Sequence, residues 1–308
     1  MAPVAVADAA PSPPLVSKRT WVDDRPAHYV LCGEGLPVLF LHGWGLGPYR
    51  NVVRRLAQEG CQVIAPSQPG IGNTPGLPGR DFTLAGYARW TEGFLDALHI
   101  DEPVVVIGHS FGGGVAIRLA HDSPVRVRSL VLVNSIGGAA WRQGNRLRSL
   151  GERPLWDWGL HLPSDVWPVA QATKVIPVLM SGMVPNLVRN PLGLVRLANL
   201  ARRVDLTREL EELKRRGLPV TVLWGARDGV IPRESFEALC AALGAVGKVV
   251  PGSHSWLLAD PDGLVEVITN DLRVAQLARE VESRRGKKRR RFGPKPPDEL
   301  KSLRPGRP

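Results

Sequence analysis

The pentapeptide Gly108-His109-Ser110-Phe111-Gly112 sets a serine between two glycines, directly after the apolar run Val104 to Ile107 and directly before a small-residue stretch, Phe111 to His121, that suits a helix. A strand turning sharply into a helix lifts such a serine out of the sheet edge, and side chains on its flanks would collide. A serine hydroxyl is a poor nucleophile at neutral pH. It needs a base, and the base needs an acid to orient it. Asp228 follows the run Val220 to Leu223, in Trp224-Gly225-Ala226-Arg227-Asp228-Gly229-Val230-Ile231-Pro232. His254 follows Lys248 to Val250, in Pro251-Gly252-Ser253-His254-Ser255-Trp256. Taken singly, Asp228 reads as a turn former and His254 as a structural histidine. The order Ser, Asp, His, each at the C-terminal end of a predicted strand, favours acyl transfer: Ser110 attacks, His254 takes its proton and Asp228 holds His254.

Those three residues require a sheet that presents its C-terminal edge. Short β-favouring pieces from Thr20 to Cys32 surround the turn signal Asp23-Asp24. After them come the uninterrupted run Pro37 to Leu41, a helical period on Val52, Val53 and Leu56 ending at Gly60, and a strand from Gln62 to Ala65. Thr83 caps a predicted helix carrying Leu84, Tyr87, Phe94 and Leu98. Strands follow at Val104 to Ile107, Leu130 to Val133, Val220 to Leu223 and Lys248 to Val250, with a helix from Arg233 to Leu243 and a last one beginning near Leu264. Near-continuous apolar strands alternating with helices predict an α/β fold with a mostly parallel, doubly wound sheet.

Between Gly137 and Gly217 the alternation fails. This segment holds Trp141, Trp156, Trp158 and Trp167, Met180 and Met183, and several prolines. A break of this length is too long for a plain loop and reads as a helical cap, residues 137–216, inserted into a core formed by 19–136 and 217–282.

An acyl-transfer site also needs donors for the tetrahedral oxyanion. The N–H of Phe111, next to the nucleophile, is one, and the loop after Pro37 to Leu41 should supply the other. That loop reads His42-Gly43-Trp44-Gly45. With it, the elbow and the Asp and His segments all in order, the chain from Thr20 to Glu282 resembles the α/β-hydrolase superfamily. The resemblance implies Trp44 and Phe111 as the oxyanion donors, Ser110 as nucleophile, Asp228 as acid, His254 as base, His42 as structural, and no cofactor or metal. Relatives that open epoxides or displace halide carry Asp in the elbow, which disfavours both reactions for a chain with Ser110. At Ser67, where relatives commonly carry Asp, the sequence departs from the pattern, and the change bears on loop packing. The expected activity is hydrolysis of a carboxylic ester with a small or medium apolar acyl group, through an acyl-enzyme. A thioester, a C–C bond, or ligand binding without turnover are the alternatives.

Composition agrees and narrows the partners. Of 308 residues 44% are hydrophobic and 22% charged, enough to bury a core. The net charge of +11 is uneven: residues 283 to 308 hold 11 Lys and Arg against 2 Asp and Glu, and residues 137 to 216 hold 13 against 7. A nucleic-acid-binding domain would spread its charge over the folded body, so that class is disfavoured. The excess at 137–216 would suit an acidic carrier or anionic substrate, or simply a solvated face. The run Arg284-Arg285-Gly286-Lys287-Lys288-Arg289-Arg290-Arg291 opens a basic tail, 283–308. It is read as disordered, with contact to an anionic membrane or nucleic acid as its functional alternative. Residues 1–18 read as a disordered arm without the pattern of a signal peptide. The apolar stretch from Val175 to Val188 is too short to span a bilayer. Cys32, Cys61 and Cys240 lack metal-ligand spacing and predict free thiols in a reducing cytoplasm.

Overall fold

The computed structural model describes residues 13–138 and 169–292. β1 (Leu15–Val22) and β2 (Arg25–Cys32) form an antiparallel hairpin. Its turn residues Asp23 and Asp24 both take positive φ, 47° and 58°, as a two-residue hairpin turn requires. The predicted arm therefore ends earlier than residue 18. β1 carries exposed Ser17, Lys18 and Arg19 and is held by its ladder to β2 rather than by burial, so no apolar pattern marks it. Charges on such an edge strand also discourage pairing with other chains.

The core then alternates: β3 (Leu36–Leu41), α1 (Arg50–Ala57), β4 (Cys61–Pro66), α2 (Leu84–Ala97), β5 (Val104–His109), α3 (Phe111–Asp122) and β6 (Val127–Val133). After the insertion come β7 (Val220–Gly225), α7 (Arg233–Leu243), β8 (Lys248–Val250), α8 (Trp256–Ala259) and α9 (Pro261–Phe292). The sheet order is β1-β2-β4-β3-β5-β6-β7-β8; β2 is antiparallel to both neighbours, and all pairings from β4 to β8 are parallel. Successive strand residues point to opposite faces. Val104, Val106, Leu130 and Leu132 therefore pack with α2, α3 and α7, whereas Val105, Ile107, Val131 and Val133 pack with α1, α8 and the first turns of α9. This is the doubly wound α/β sheet that the alternating runs predict.

Three helices of the insertion are described: α4 (Val169–Arg189), α5 (Pro191–Ala201) and α6 (Thr207–Arg215). The first two lie against the loop after β3 and line the cavity over Ser110. Leu210 and Leu213 of α6 are fully buried in the layer formed by α3 and α7, and Arg118 on α3 reaches Glu209 at 2.8 Å. The predicted cap boundary at 216 is thus too late, because α6 is amphipathic and its apolar face belongs to the sheet-covering layer. The four insertion tryptophans lie outside the described residues.

The tail boundary is corrected as well. α9 runs through residue 283 to Phe292. Lys and Arg are good helix formers, and a run that extends an already packed helix avoids the cost of nucleation.

Candidate active site

β3 and β5 are neighbours although β4 intervenes in sequence, so the connections leave their C-terminal ends in opposite directions and open a crevice there. The register pairs Leu41 with Gly108, setting the loop after β3 beside the elbow after β5. Ser110 sits at φ 54°, ψ −118°. Both flanking glycines are required by close approach. A Cβ on Gly108 would lie 2.6 Å from Gly113 Cα, and one on Gly112 would lie 2.3 Å from the carbonyl oxygen of Leu41. The strained turn is held from β6: Ser110 N–H donates to Val133 O at 3.0 Å.

The three residues singled out in the sequence meet here. Ser110 Oγ lies 3.0 Å from His254 Nε2, and His254 Nδ1 lies 2.9 Å from Asp228 Oδ2. All three are buried. Asp228 Oδ1 accepts from Val230 N–H and Ile231 N–H, each at 2.8 Å, so the carboxylate is locked in rotation. With Nδ1 donating to Asp228, the free lone pair of His254 faces the serine hydroxyl. Phe111 is the first residue of α3, so its N–H has no acceptor within the helix. Trp44 stands in the adjoining loop after β3 and lines the same cavity as Ser110 and His254.

Sequence reasoning missed two supporting groups. Asn134, at the end of β6, donates through Nδ2 to Asp228 Oδ2, and its Oδ1 accepts from Trp256 Nε1 at 2.9 Å. The indole thus fixes the amide so that its NH2 faces the carboxylate. Its one signal was position: a polar residue closing an apolar strand on the site's edge. The second is a relay through His109. Gly43 N–H donates to Tyr49 Oη at 2.9 Å, Tyr49 Oη lies 2.9 Å from His109 Nδ1, and His109 Nε2 lies 3.0 Å from His254 O. It ties the loops of Trp44, Ser110 and His254 together. Burial, reinforced by the nearby His254, holds His109 well below the ordinary histidine range, so it stays neutral as the relay requires.

His42 is buried and stands outside the Ser110–His254–Asp228 chain. Its Nδ1 lies 2.8 Å from Gly43 O and its Nε2 accepts from Gln68 N–H at 3.0 Å. Burial lowers its pKa to about 4. An unfolded chain takes up this proton near pH 6.5, whereas the folded one does not until about pH 4. Stability is therefore full above pH 6.5 and falls between 6.5 and 4, by about 3 kcal/mol from this group alone. Urea denaturation at neutral pH and near pH 4.5 reads this, with His42→Gln shrinking the difference while buried His109 supplies a remainder of the same sign; an unchanged difference would show that His42 does not carry its share.

The inserted helices are fastened to the loop after β3. Asn186 on α4 donates to Gly45 O at 3.0 Å and accepts from Gly72 N–H at 2.8 Å, while Trp44 Nε1 donates to Leu194 O at 2.8 Å. Between cap and core lies a cavity of about 250 Å³. Ser110 and His254 form its polar end, and Trp44, Leu179, Met183, Leu194, Val195 and Val230 are among its apolar walls. Cys32, Cys61 and Cys240 are free thiols. Among the described residues no group of three or more His, Cys, Asp or Glu is gathered as a metal site.

A protein of Mycobacterium phage D29 that carries the name of a non-heme haloperoxidase is 30% identical over 245 residues, 77% of this chain and 87% of its own. A Shigella flexneri serotype 5b protein carrying the name of a carbamate hydrolase is 27% identical over 81% of this chain and 92% of its own. The solved structure of a thermophilic esterase from Thermogutta terrifontis superposes with a TM-score of 0.64 at 22% identity, covering 85% of this chain and 99% of that one, a likeness of fold. The pattern of the α/β hydrolase family matches residues 38–267, a span that takes in the Trp44 loop, the Ser110 elbow, Asp228 and His254, and the chain belongs to that family.

Proposed function

We propose that this protein is a serine hydrolase that cleaves a carboxylic ester of a small or medium apolar acid through an acyl-enzyme. The observation that carries this reading is the continuous hydrogen-bond chain from Asp228 through His254 to Ser110, ending at the floor of an apolar cavity. Ser110 Oγ attacks the acyl carbon while His254 Nε2 takes its proton. The N–H groups of Trp44 and Phe111 stabilise the oxyanion. His254 returns the proton to the leaving alcohol, then removes one from water, which attacks the acyl-enzyme and frees Ser110. A cavity of about 250 Å³ lies below the usual range of drug-sized sites, which favours short to medium acyl chains. The esterase and carbamate hydrolase names among the similar proteins support attack on a carboxyl-derived carbonyl. The three free thiols fit a reducing cytoplasm, and among the described residues no helix is long and apolar enough to cross a membrane.

A fluorophosphonate probe, which reacts only with an activated serine, should label Ser110 stoichiometrically, and kcat/KM across nitrophenyl esters of rising acyl length should peak at short to medium chains. Binding of apolar acids with neither labelling nor turnover would overturn the reading and leave a ligand-binding protein. Preference for a thioester over the matched ester would overturn the substrate class while keeping Ser110.

A further inference from the structure

We infer that α9 docks this protein on an anionic bilayer surface, with the Ser110 edge of the sheet turned away from the lipid. The first half of α9 is a core helix: Leu264, Val265, Ile268 and Leu272 are buried against the sheet. Its second half presents an apolar stripe to solvent, Val274, Leu277 and Val281, which are 67%, 61% and 49% exposed. Their spacing of three and four residues puts them on one face. From residue 273 to Phe292 the helix carries nine Lys and Arg against Glu280 and Glu282. An apolar stripe running into a dense basic segment on one continuous helix fits a surface that is apolar below and negatively charged above. Each basic residue close to such a surface raises partitioning about fivefold.

The other occupants fit less of this. A nucleic-acid backbone would use the basic run but has no use for Val274, Leu277 and Val281. A second copy laid stripe on stripe would bury three side-chain faces a side, far short of the roughly 1,000 Å² of a stable interface.

The orientation follows from what fastens the helix. Arg279 donates to Glu102 at 2.9 and 3.0 Å and to Gly35 O at 2.6 Å, and Arg128 pairs with Glu282 at 3.0 Å. Glu102 and Gly35 directly precede β5 and β3, and Arg128 lies at the start of β6. These are the N-terminal ends of the strands, whereas Ser110, Asp228 and His254 lie beyond the C-terminal ends of theirs. The stretch of α9 around Arg279 and Glu282, from which the basic run continues, is therefore fastened to the edge of the sheet opposite the active site. Docked there, the protein faces water with its cavity and takes its substrate from the aqueous side.

The test is sedimentation of the full chain with phosphatidylcholine vesicles, with and without a minor share of phosphatidylserine, at about 0.1 M and about 1 M salt, where the screening length falls from about 10 to about 3 Å. Binding should require phosphatidylserine and be lost at high salt. Val274→Ser/Leu277→Ser/Val281→Ser and, separately, Arg289→Gln/Arg290→Gln/Arg291→Gln should each weaken it at least tenfold with an unchanged thermal midpoint. Equal binding to both vesicle types, a triple serine variant that binds like the parent, or tight binding of duplex DNA without vesicle binding would overturn the docking face. So would a dimer in light scattering that Leu277→Arg converts to monomer. Fluorophosphonate labelling of Ser110 should proceed at the same rate on vesicles as in solution. Protection of Ser110 by vesicles would overturn the orientation, and absence of labelling in both states would count against the serine hydrolase reading alone.

Discussion

Ser110→Ala is expected to lower kcat by roughly 10⁶ while the thermal midpoint stays near that of the parent. In the proposed mechanism the attacking hydroxyl is also the group that meets His254 Nε2 at 3.0 Å, so its removal would take away the nucleophile and leave the base with nothing to deprotonate. The backbone does not notice. Alanine and serine bear the same strain at φ 54°, and the bonds that hold the turn, Ser110 N–H to Val133 O and Gly113 N–H to Ser110 O, belong to the main chain. His254→Ala should be comparably severe, because a serine without a base is a weak nucleophile at neutral pH. Since the two act as one unit, the double variant should be no slower than the worse single one. Steady-state kinetics on a neutral nitrophenyl ester, with circular dichroism as the check on folding, decides this. Ser110→Ala turning over near the parent rate would put the nucleophile elsewhere.

The parts of this site that were legible in the sequence are those whose local residue types force a conformation. Gly108 and Gly112 are dictated by contacts within a few residues or with the adjoining strand end. The run before Ser110 is buried on both faces and the run before Asp228 is buried from Val222 onward, so neither leaves an alternation to misread, whereas the short run before His254 is exposed at Lys248 and Val249 and was legible from its β-branched pair alone. The supporting groups were hidden because they are long-range. Asn134 meets Asp228 and Trp256 from 94 and 122 residues away, and Tyr49 reaches His109 across 60, so nothing beside them in the chain announces the contact. Boundaries failed where burial and pattern part company. β1 is stabilised by its ladder while showing polar residues to solvent, α6 was counted with the cap because it follows the cap in sequence, and the Arg-rich end of α9 was read as tail because charge was weighed above helix propensity. Asn186, inside an apolar helix interrupted by Pro177 and Pro185, gave no hint that it fastens the cap to Gly45 and Gly72.

Asp228→Asn tests the electrostatic logic of the site rather than its inventory, and kcat should fall by about 10³ to 10⁴ with KM little changed. The change is nearly isosteric, so geometry survives; what changes is where hydrogens point. Val230 N–H and Ile231 N–H both donate to Oδ1, which obliges the new amide to keep its oxygen there. Its NH2 then occupies the place of Oδ2 and donates to His254 Nδ1. That nitrogen becomes an acceptor, the ring proton moves to Nε2, and the lone pair that should receive the Ser110 proton is gone. The same NH2 also faces the amide of Asn134, donor against donor, with the Asn134 orientation held by Trp256 Nε1. Asn134→Ala should therefore act more mildly than Asp228→Asn. It removes one donor to a carboxylate, worth roughly 1.5 to 3 kcal/mol, and so slows kcat about tenfold to a hundredfold while leaving the tautomer of His254 correct. The two variants separate by nitrogen NMR of the His254 ring: Asn134→Ala should keep the proton on Nδ1 and Asp228→Asn should move it to Nε2. An Asp228→Asn enzyme with parental kcat would show that some other loop supplies the acid, and that the contact of 2.9 Å between Asp228 and His254 is structural only.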